Sequence, residues 1–278
     1  MQRVRTVNQA LRPFPQFNDV ITGVRGNGDK SGHSSYHALI VKMARRYHSG
    51  LALEWNYVFS KLLTDTDNEV DGNGATQDQY NRRLEKSIGG FDQTHSLKLS
   101  SVYELPVGRG KQLLGTASGI VNAVLGGWRL GGIMTYSSGF PINLSRNNPL
   151  PIFNRSTRPL ISGYEGWRGA IRGEDFDPAT DRFLNKAALP TQPLDFGDAT
   201  RYNPKVRTFP YFQENVSLAK KFAFNERFSM DFRAEAFNLF NRVRFSAGSF
   251  NLDSANFGIA TSQANDPRRM QLGLKLYW

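Results

Sequence analysis

Leu51-Ala52-Leu53-Glu54-Trp55-Asn56-Tyr57-Val58-Phe59-Ser60 is the stretch that decides the fold. Its odd positions carry Leu51, Leu53, Trp55, Tyr57 and Phe59, and its even positions carry Ala52, Glu54, Asn56, Val58 and Ser60. Successive side chains of a strand point to opposite faces, so the segment predicts a strand with one apolar, aromatic face and one largely polar face. The last segment repeats the pattern, with Met270, Leu272, Leu274, Leu276 and Trp278 set against Arg269, Gln271, Gly273, Lys275 and Tyr277. So does His95 to Leu105, where Leu97, Leu99, Tyr103 and Leu105 oppose Ser96, Lys98, Ser100 and Glu104.

Weaker copies lie between these. Ser35 to Arg46 sets Leu39, Val41 and Met43 against Lys42 and Arg46, and Trp128 to Tyr136 sets Trp128, Leu130, Met134 and Tyr136 against Arg129 and Thr135. Asn215 to Phe222 sets Val216, Leu218 and Phe222 against Ser217 and Lys221, with Lys220 on the apolar side. Arg227 to Phe240 sets Phe228, Met230, Phe232, Ala234 and Ala236 against Ser229, Asp231, Arg233 and Glu235. The chain thus predicts an all-β, antiparallel fold of about seven strands, most near the roughly 9–11 residues that a tilted membrane strand needs.

A soluble antiparallel sandwich also alternates. Against it, the polar faces carry full charges at mid-strand (Glu54, Lys98, Arg233, Glu235), as a wet or plugged barrel lumen does. Aromatics gather towards strand ends (Tyr57, Phe59, Tyr103, Trp128, Tyr136, Phe222, Phe228, Trp278), as membrane girdles require. Connections also alternate in length. Short turns are expected at 47–50 and 223–226, and long polar loops at 62–93, 139–208 and 241–267. With Trp278 at the periplasmic side, every long loop falls outside and every short turn inside, the one misfit being 106–126, expected to be a turn with a short helix through Val121 to Leu125.

Residues 1–33 are then an external segment, and 34–278 the C-terminal part of a transmembrane β-barrel. An odd strand count that starts outside does not close a bacterial barrel, so an incomplete barrel, a fragment, is expected.

Composition narrows the function classes. The 278 residues include no Cys, which excludes disulfides, thiolate metal sites and a Cys nucleophile. No apolar run approaches the roughly 18 residues of a transmembrane helix, and the N-terminus shows no signal-peptide pattern. The net charge of +11 raises nucleic-acid binding, but the basic residues are spread along the whole chain, with no helix-turn-helix, finger or RNA-binding motif, so no nucleic-acid partner is expected.

Catalysis finds little support. His33, His37, His48 and His95 lack a Ser or Asp partner at a recognisable spacing, with His37 expected on the lipid or interface side and His48 in a turn. Neither an enzyme activity nor a cofactor is expected. The acidic loop from Asp67 to Asp78 has carboxylates at its first, third and fifth positions and Gly72 at its sixth, partly like a calcium loop; a solvated external loop is the plainer alternative. On the lumen side Lys42, Arg46, Lys98, Arg129, Lys221, Arg233, Arg269 and Lys275 outnumber Glu54, Glu104, Asp231 and Glu235. Such a face either guides an anionic solute or pairs its charges across strands or with a plug. The Pro-rich loop 139–208 is the natural seat of ligand capture, with Tyr164 and Trp167 as contacts or packing anchors.

A family resemblance enters with the runs Arg233-Ala234-Glu235-Ala236-Phe237-Asn238-Leu239-Phe240-Asn241, Asn256-Phe257-Gly258 and Ala264-Asn265-Asp266-Pro267-Arg268-Arg269. Together they resemble the C-termini of TonB-dependent receptors of the Oar-like branch, which carries an N-terminal carboxypeptidase-regulatory-like domain. Upstream, Ser35-Tyr36-His37-Ala38-Leu39, Tyr57-Val58-Phe59-Ser60-Lys61, Tyr103 to Lys111 and Gly126-Gly127-Trp128 look like the same family's barrel strands. The resemblance runs from about Asn8 to Trp278. It implies an outer-membrane location, an unidentified imported solute, and a plug domain and energy-transducing protein engaged through an N-terminal part not found here. Family barrels have about 22 strands, so this chain would supply about the last third and would not transport alone.

The chain's end is also similar to the sorting signal read by the barrel assembly machinery, carried here by Gln271, Gly273, Leu276 and Trp278. The alternative function is a structural or adhesive outer-membrane barrel acting through its external loops.

Overall fold

The computed structural model describes residues 10–11, 14–16, 32–66, 77, 81–148, 157–168, 176–189, 192, 194 and 196–278. The expected external segment 1–33 and calcium-like loop Asp67–Asp78 therefore lie almost wholly outside the described residues.

Seven strands form one antiparallel meander: β1 (Ser34–His48), β2 (Leu51–Thr64), β4 (His95–Glu104), β5 (Trp128–Ser137), β8 (Tyr211–Ala223), β9 (Ser229–Phe237) and β10 (Arg269–Tyr277), each hydrogen-bonded to the next. A short β3 (Ser87–Ile88) joins the end of β2, and β6 (Pro141–Ile142) pairs with β7 (Asn203–Arg207) as a separate ribbon. Among the described residues the sheet is open: β1 and β10 each have one unpaired edge.

The register keeps the apolar positions on one face throughout. Val41, Tyr57, Leu97, Tyr136 and Phe212 stand opposite one another in succession from β1 to β8, and Leu218, Ala234 and Leu272 do so from β8 to β10. A slip of one residue in any pair would turn that strand's polar set onto this face, so the alternation itself fixes the register. Tyr57, Phe59, Tyr103, Trp128, Tyr136 and Phe222 of the expected girdles fall on the apolar face, while Phe228 and Trp278 lie just outside their strands. The rings make two bands. Trp128 meets Phe222 and Phe232 edge-on near one end, while Tyr136 meets Phe212 and Phe59 meets His95 near the other.

The apolar face is bare. Leu39, Met43, Phe59, Met270, Leu272 and Leu274 are all exposed, Leu272 by 74%. A soluble sandwich would cover these side chains with a second sheet, and a contiguous bare apolar face of this extent needs a non-aqueous neighbour. No helix among the described residues is long and apolar enough to cross a membrane.

The ends of the sheet differ as their sequences dictate. The β1–β2 turn is only Ser49-Gly50, both with positive φ (51° and 82°), the backbone of a tight hairpin whose twist suits the flanking strands. At Gly50 a Cβ would press on the Glu104 carbonyl at 3.2 Å, which adds a close approach to the positive φ. His48 closes β1 as a strand residue paired with Leu51, so the expected turn is shorter than 47–50. The β8–β9 turn is held by Asn225, whose Oδ1 accepts the amides of Arg227 and Phe228. Between β4 and β5 a longer connection contains α1 (Gly119–Leu125), capped by the Ser118 hydroxyl accepting the Val121 amide. The helix expected over 121–125 thus starts two residues earlier.

β9 ends earlier than its alternation suggests, at Phe237 and not Phe240, because Asn238 takes φ 52° and leaves the strand. β8 begins earlier, at Tyr211.

Candidate functional site

Two features at the long-loop end and on the polar face make up the candidate site. The first is the polar face, which is concave. A cavity of about 550 Å³ opens on it, lined from β1 across to β9 by residues that include Arg46, Glu54, Ser100, Asn215, Arg233 and Glu235. All but Arg46, which falls at the register break between Arg45 and His48, belong to the polar register of their strands. Some of the lumen charges have partners in the sheet or in its connections. Arg233 lies 3.4 Å from Glu235, Gln271 donates to Glu235, Lys111 lies 3.1 Å from Glu104, and Tyr277 donates to Asp231 at 3.1 Å. Lys42, Arg46 and Lys98 form no ion pair among the described residues. Of these contacts only the hydrogen bonds from Gln271 and Tyr277 cross between strands, and Arg129, Lys221 and Lys275 likewise form no ion pair among the described residues, so the face keeps a basic remainder from β1 across to β10.

The second feature is a cap built from the three long connections. The loops 139–208 and 241–267 share an apolar core of Ile142, Leu144, Phe183, Leu184, Phe209 and Phe257 with eight further buried side chains, and none of these lies in the seven strands. Phe176, Phe183, Phe209, Phe245 and Phe250 form a connected set of ring contacts 5.1 to 6.3 Å apart. Trp167, 4% exposed, belongs to this core and Tyr164 packs against it, so both are packing anchors.

The loop after β2 is tied in by charge. Arg158 pairs with Glu85 where both are buried and also donates to the Leu84 carbonyl. Gln77 donates to the Gly197 carbonyl at 2.7 Å and accepts the Arg158 amide at 3.0 Å. Arg207 reaches Asp92 (2.6 Å), Thr94 (2.8 Å) and the Gly139 carbonyl (3.0 Å), and Arg201 donates to the carbonyl of Thr64 at the end of β2. Gly197 is required here, since a Cβ would overlap the backbone of Arg158 and Pro159. Asp198 accepts the amides of Ile161 and Ser162; burial works to raise its pKa, but these hydrogen bonds outweigh it and hold the carboxyl below its usual range.

The run Phe237 to Asn241, with Asn265 to Arg269, is a clasp. Asn238 donates to the Arg242 and Asp266 carbonyls and accepts the Arg242 amide. Asn265 donates to the Arg242 carbonyl and accepts the Arg244 amide, and Asn241 accepts the Arg268 amide. These residues join the end of β9 to the start of β10, and Asn215 of β8 accepts the Asn238 amide.

The clasp also covers a charge that the alternation alone would misplace. Glu214 sits on the apolar face yet is fully buried, accepting from Tyr136 at 2.9 Å and from Arg242 at 3.1 Å. It lies one residue outside the expected strand, and the misplaced charge three residues after Tyr211 was the available signal.

The sorting-signal residues lie on the edge strand β10 or just beyond it. Leu276 shares the bare apolar face, and Trp278, 92% exposed, follows the strand. Gln271 and Gly273 lie on the polar face, opposite Glu235 and Arg233. An added Cβ at Gly273 would meet only the Arg233 carbonyl, at 4.0 Å, so nothing within this sheet demands glycine there.

The histidines are not brought together. His37 pairs with Lys61 on the apolar register, His95 contacts the Tyr57 hydroxyl at 2.9 Å, and His33 lies beside Asp65. Among the described residues no group of three or more His, Cys, Asp or Glu could hold a metal ion.

A family model described as an outer membrane beta barrel domain matches residues 2–271. No curated protein matches the chain.

Proposed function

The chain belongs to the outer membrane beta barrel family and resides in the cell outer membrane, and on that premise we propose that it forms part of the wall and the surface cap of a TonB-dependent-type uptake receptor. The observation that carries the proposal is the pairing of a concave, charged wall with a compact cap gathered from all three long connections. A purely structural barrel needs neither a shared loop core nor buried ion pairs between loops. The resemblance of the 233–241 and 264–269 runs to Oar-like receptors supports the same reading.

In this reading the apolar face meets outer-membrane lipid, and the long connections face outward, as is general for bacterial barrels. The polar wall faces a lumen that a plug domain fills, and a solute of unidentified chemistry enters past the cap. The open edges at β1 and β10 require further strands, since lipid tolerates no unpaired sheet edge. The chain therefore does not transport by itself, and it works with an energy-transducing protein reached through the plug. Gln271, Gly273, Leu276 and Trp278 serve insertion by the barrel assembly machinery. Gly273, free of steric demand inside the sheet, is kept for that docking. The role includes no catalytic step and no cofactor.

Deletion of the gene, with complementation, tests this reading. Uptake of radiolabelled nutrients would be measured across a panel, with and without a protonophore. Loss of one energised uptake, restored by the intact gene, is the expected result. Unchanged uptake with loss of surface attachment would replace the receptor by an adhesive or structural barrel.

A further inference from the structure

The connection between β4 and β5 is far longer than its geometry needs. Glu104 and Arg129 are directly paired, so a turn as short as Ser49-Gly50 would serve. Instead the chain builds a loop and α1, with the sequence Gly-Ile-Val-Asn-Ala-Val-Leu and no charged residue.

Two side chains of the apolar face hold this helix. Trp128 Nε1 donates to the Val124 carbonyl at 2.9 Å. Lys220 Nζ donates to the Gly126 carbonyl at 2.5 Å and to that of Val124 at 3.1 Å, beneath the rings of Phe222 and Trp128. A lysine at a helix C-terminus satisfies carbonyls that have no partner in the helix. The tie explains how Lys220 occupies an apolar-face position at 4% exposure. It also fixes the C-terminal end of α1 on the outward, lipid-facing side of the rim.

The helix turns its polar side toward the preceding part of the connection. Asn122 Oδ1 accepts the Arg109 amide at 2.7 Å. Ile120 and Val124, one turn apart on the opposite side, are 80% and 57% exposed, and Leu125 of the same helix and Leu113 and Leu114 of the same connection are also exposed.

We propose that α1 is a membrane-interface foot, with Ile120 and Val124 inserted in the lipid of the leaflet at the short-turn rim. Continuity chooses lipid over a protein partner. Val124 is bound through its carbonyl to Trp128, which joins Phe222 and Phe232 in the aromatic band of the lipid-facing surface, and Trp is the usual residue of that boundary. Helices with one apolar face lie in the plane of the interface with that face in the headgroup–acyl boundary. A protein partner would be expected to find charges for specificity, and α1 offers none. The inference rests on the outer-membrane placement of the sheet.

The test uses the absence of cysteine in the chain. Ile120→Cys and Val124→Cys would each carry one nitroxide label, in isolated outer membranes, with Leu274→Cys on the sheet face and Asn225→Cys in the neighbouring short turn as references. Collision rates with oxygen and with a water-soluble nickel chelate are measured by power-saturation EPR. Labels at 120 and 124 are expected to favour oxygen over the chelate, at a ratio between those of Leu274→Cys and Asn225→Cys. Chelate access like that at Asn225→Cys overturns the proposal, and shielding from both reagents overturns it in favour of a protein partner. Should Leu274→Cys itself favour the chelate, the membrane placement of the sheet falls, and the foot with it.

Discussion

At the residue scale, the side chains that decide this structure are charges that the alternation alone would misplace. Glu214 and Lys220 interrupt the apolar face of β8, one towards each rim, and each is covered by chain from beyond the strands. The sequence shows Lys220 as an anomaly but not its partner, because the carbonyls of Val124 and Gly126 are 96 and 94 residues away and carry no identity. In the cap the same holds for Arg158 and Glu85, 73 residues apart. Their side chains are 7% and 1% exposed, so Arg158→Leu strands a buried carboxylate and should destabilise the cap by about 3–5 kcal/mol. Arg158→Leu combined with Glu85→Leu should recover much of that loss, since no uncompensated charge remains. Protease susceptibility of the cap in intact outer membranes would read both. If the single variant resists cleavage like the parent, the ion pair does not hold the loops.

Asp198 adds a pH dependence of known sign. Its carboxyl is held below its usual range by the amides of Ile161 and Ser162, despite partial desolvation, so its contribution is present above the unfolded value and lost as pH falls through the folded one. Protection factors of the Ile161 and Ser162 amides, corrected for intrinsic exchange, should fall below about pH 4, and Asp198→Asn should flatten that dependence. Equal exchange in both proteins across the acid range would remove Asp198 from the account.

At the element scale, period-two alternation carries nearly everything. All seven meander strands are legible because each has one face for an apolar neighbour and one for a polar one, and the pairing follows from short turns and parity. What alternation does not reach is the ends. β9 stops at Asn238 through a positive φ fixed by hydrogen bonds to Arg242 and Asp266, and a motif legible as a family signature turns out to be a clasp. Parity itself can be tested at neighbouring residues. Leu274 points to the bare face and Lys275 to the polar one. Leu274→Arg should cost about 2–4 kcal/mol if that position lies at mid-membrane, and Lys275→Leu much less. Urea unfolding of protein purified from the outer membrane measures both. Similar penalties at 274 and 275 would contradict the assignment of faces.

At the scale of the whole molecule, the chain has its compact hydrophobic core outside its sheet. The buried apolar cluster belongs to the long connections, whose sequences show no period, so sequence reading leaves them as loops although Phe176, Phe183, Phe209, Phe245, Phe250 and Phe257 are dense enough to hint at a core. The reason is physical: the cap is closed by residues distant in sequence, with backbone paired largely by isolated bridges, so nothing local repeats. Sheet and cap are then stabilised by different things. The sheet depends on lipid against its apolar face and on ladder hydrogen bonds, whereas the cap depends on its aromatic core and on buried ion pairs. The links between them are polar contacts such as Arg201 to Thr64 and Tyr202 to Ser87. Two units joined in this way should unfold separately. Calorimetry of the protein in outer membranes should show a low-temperature transition that Arg158→Leu shifts downward, and a higher one that Leu274→Arg shifts while leaving the first in place. A single transition moved by both variants would mean that cap and wall fold as one unit, and an entering solute would then have to displace the wall together with the cap.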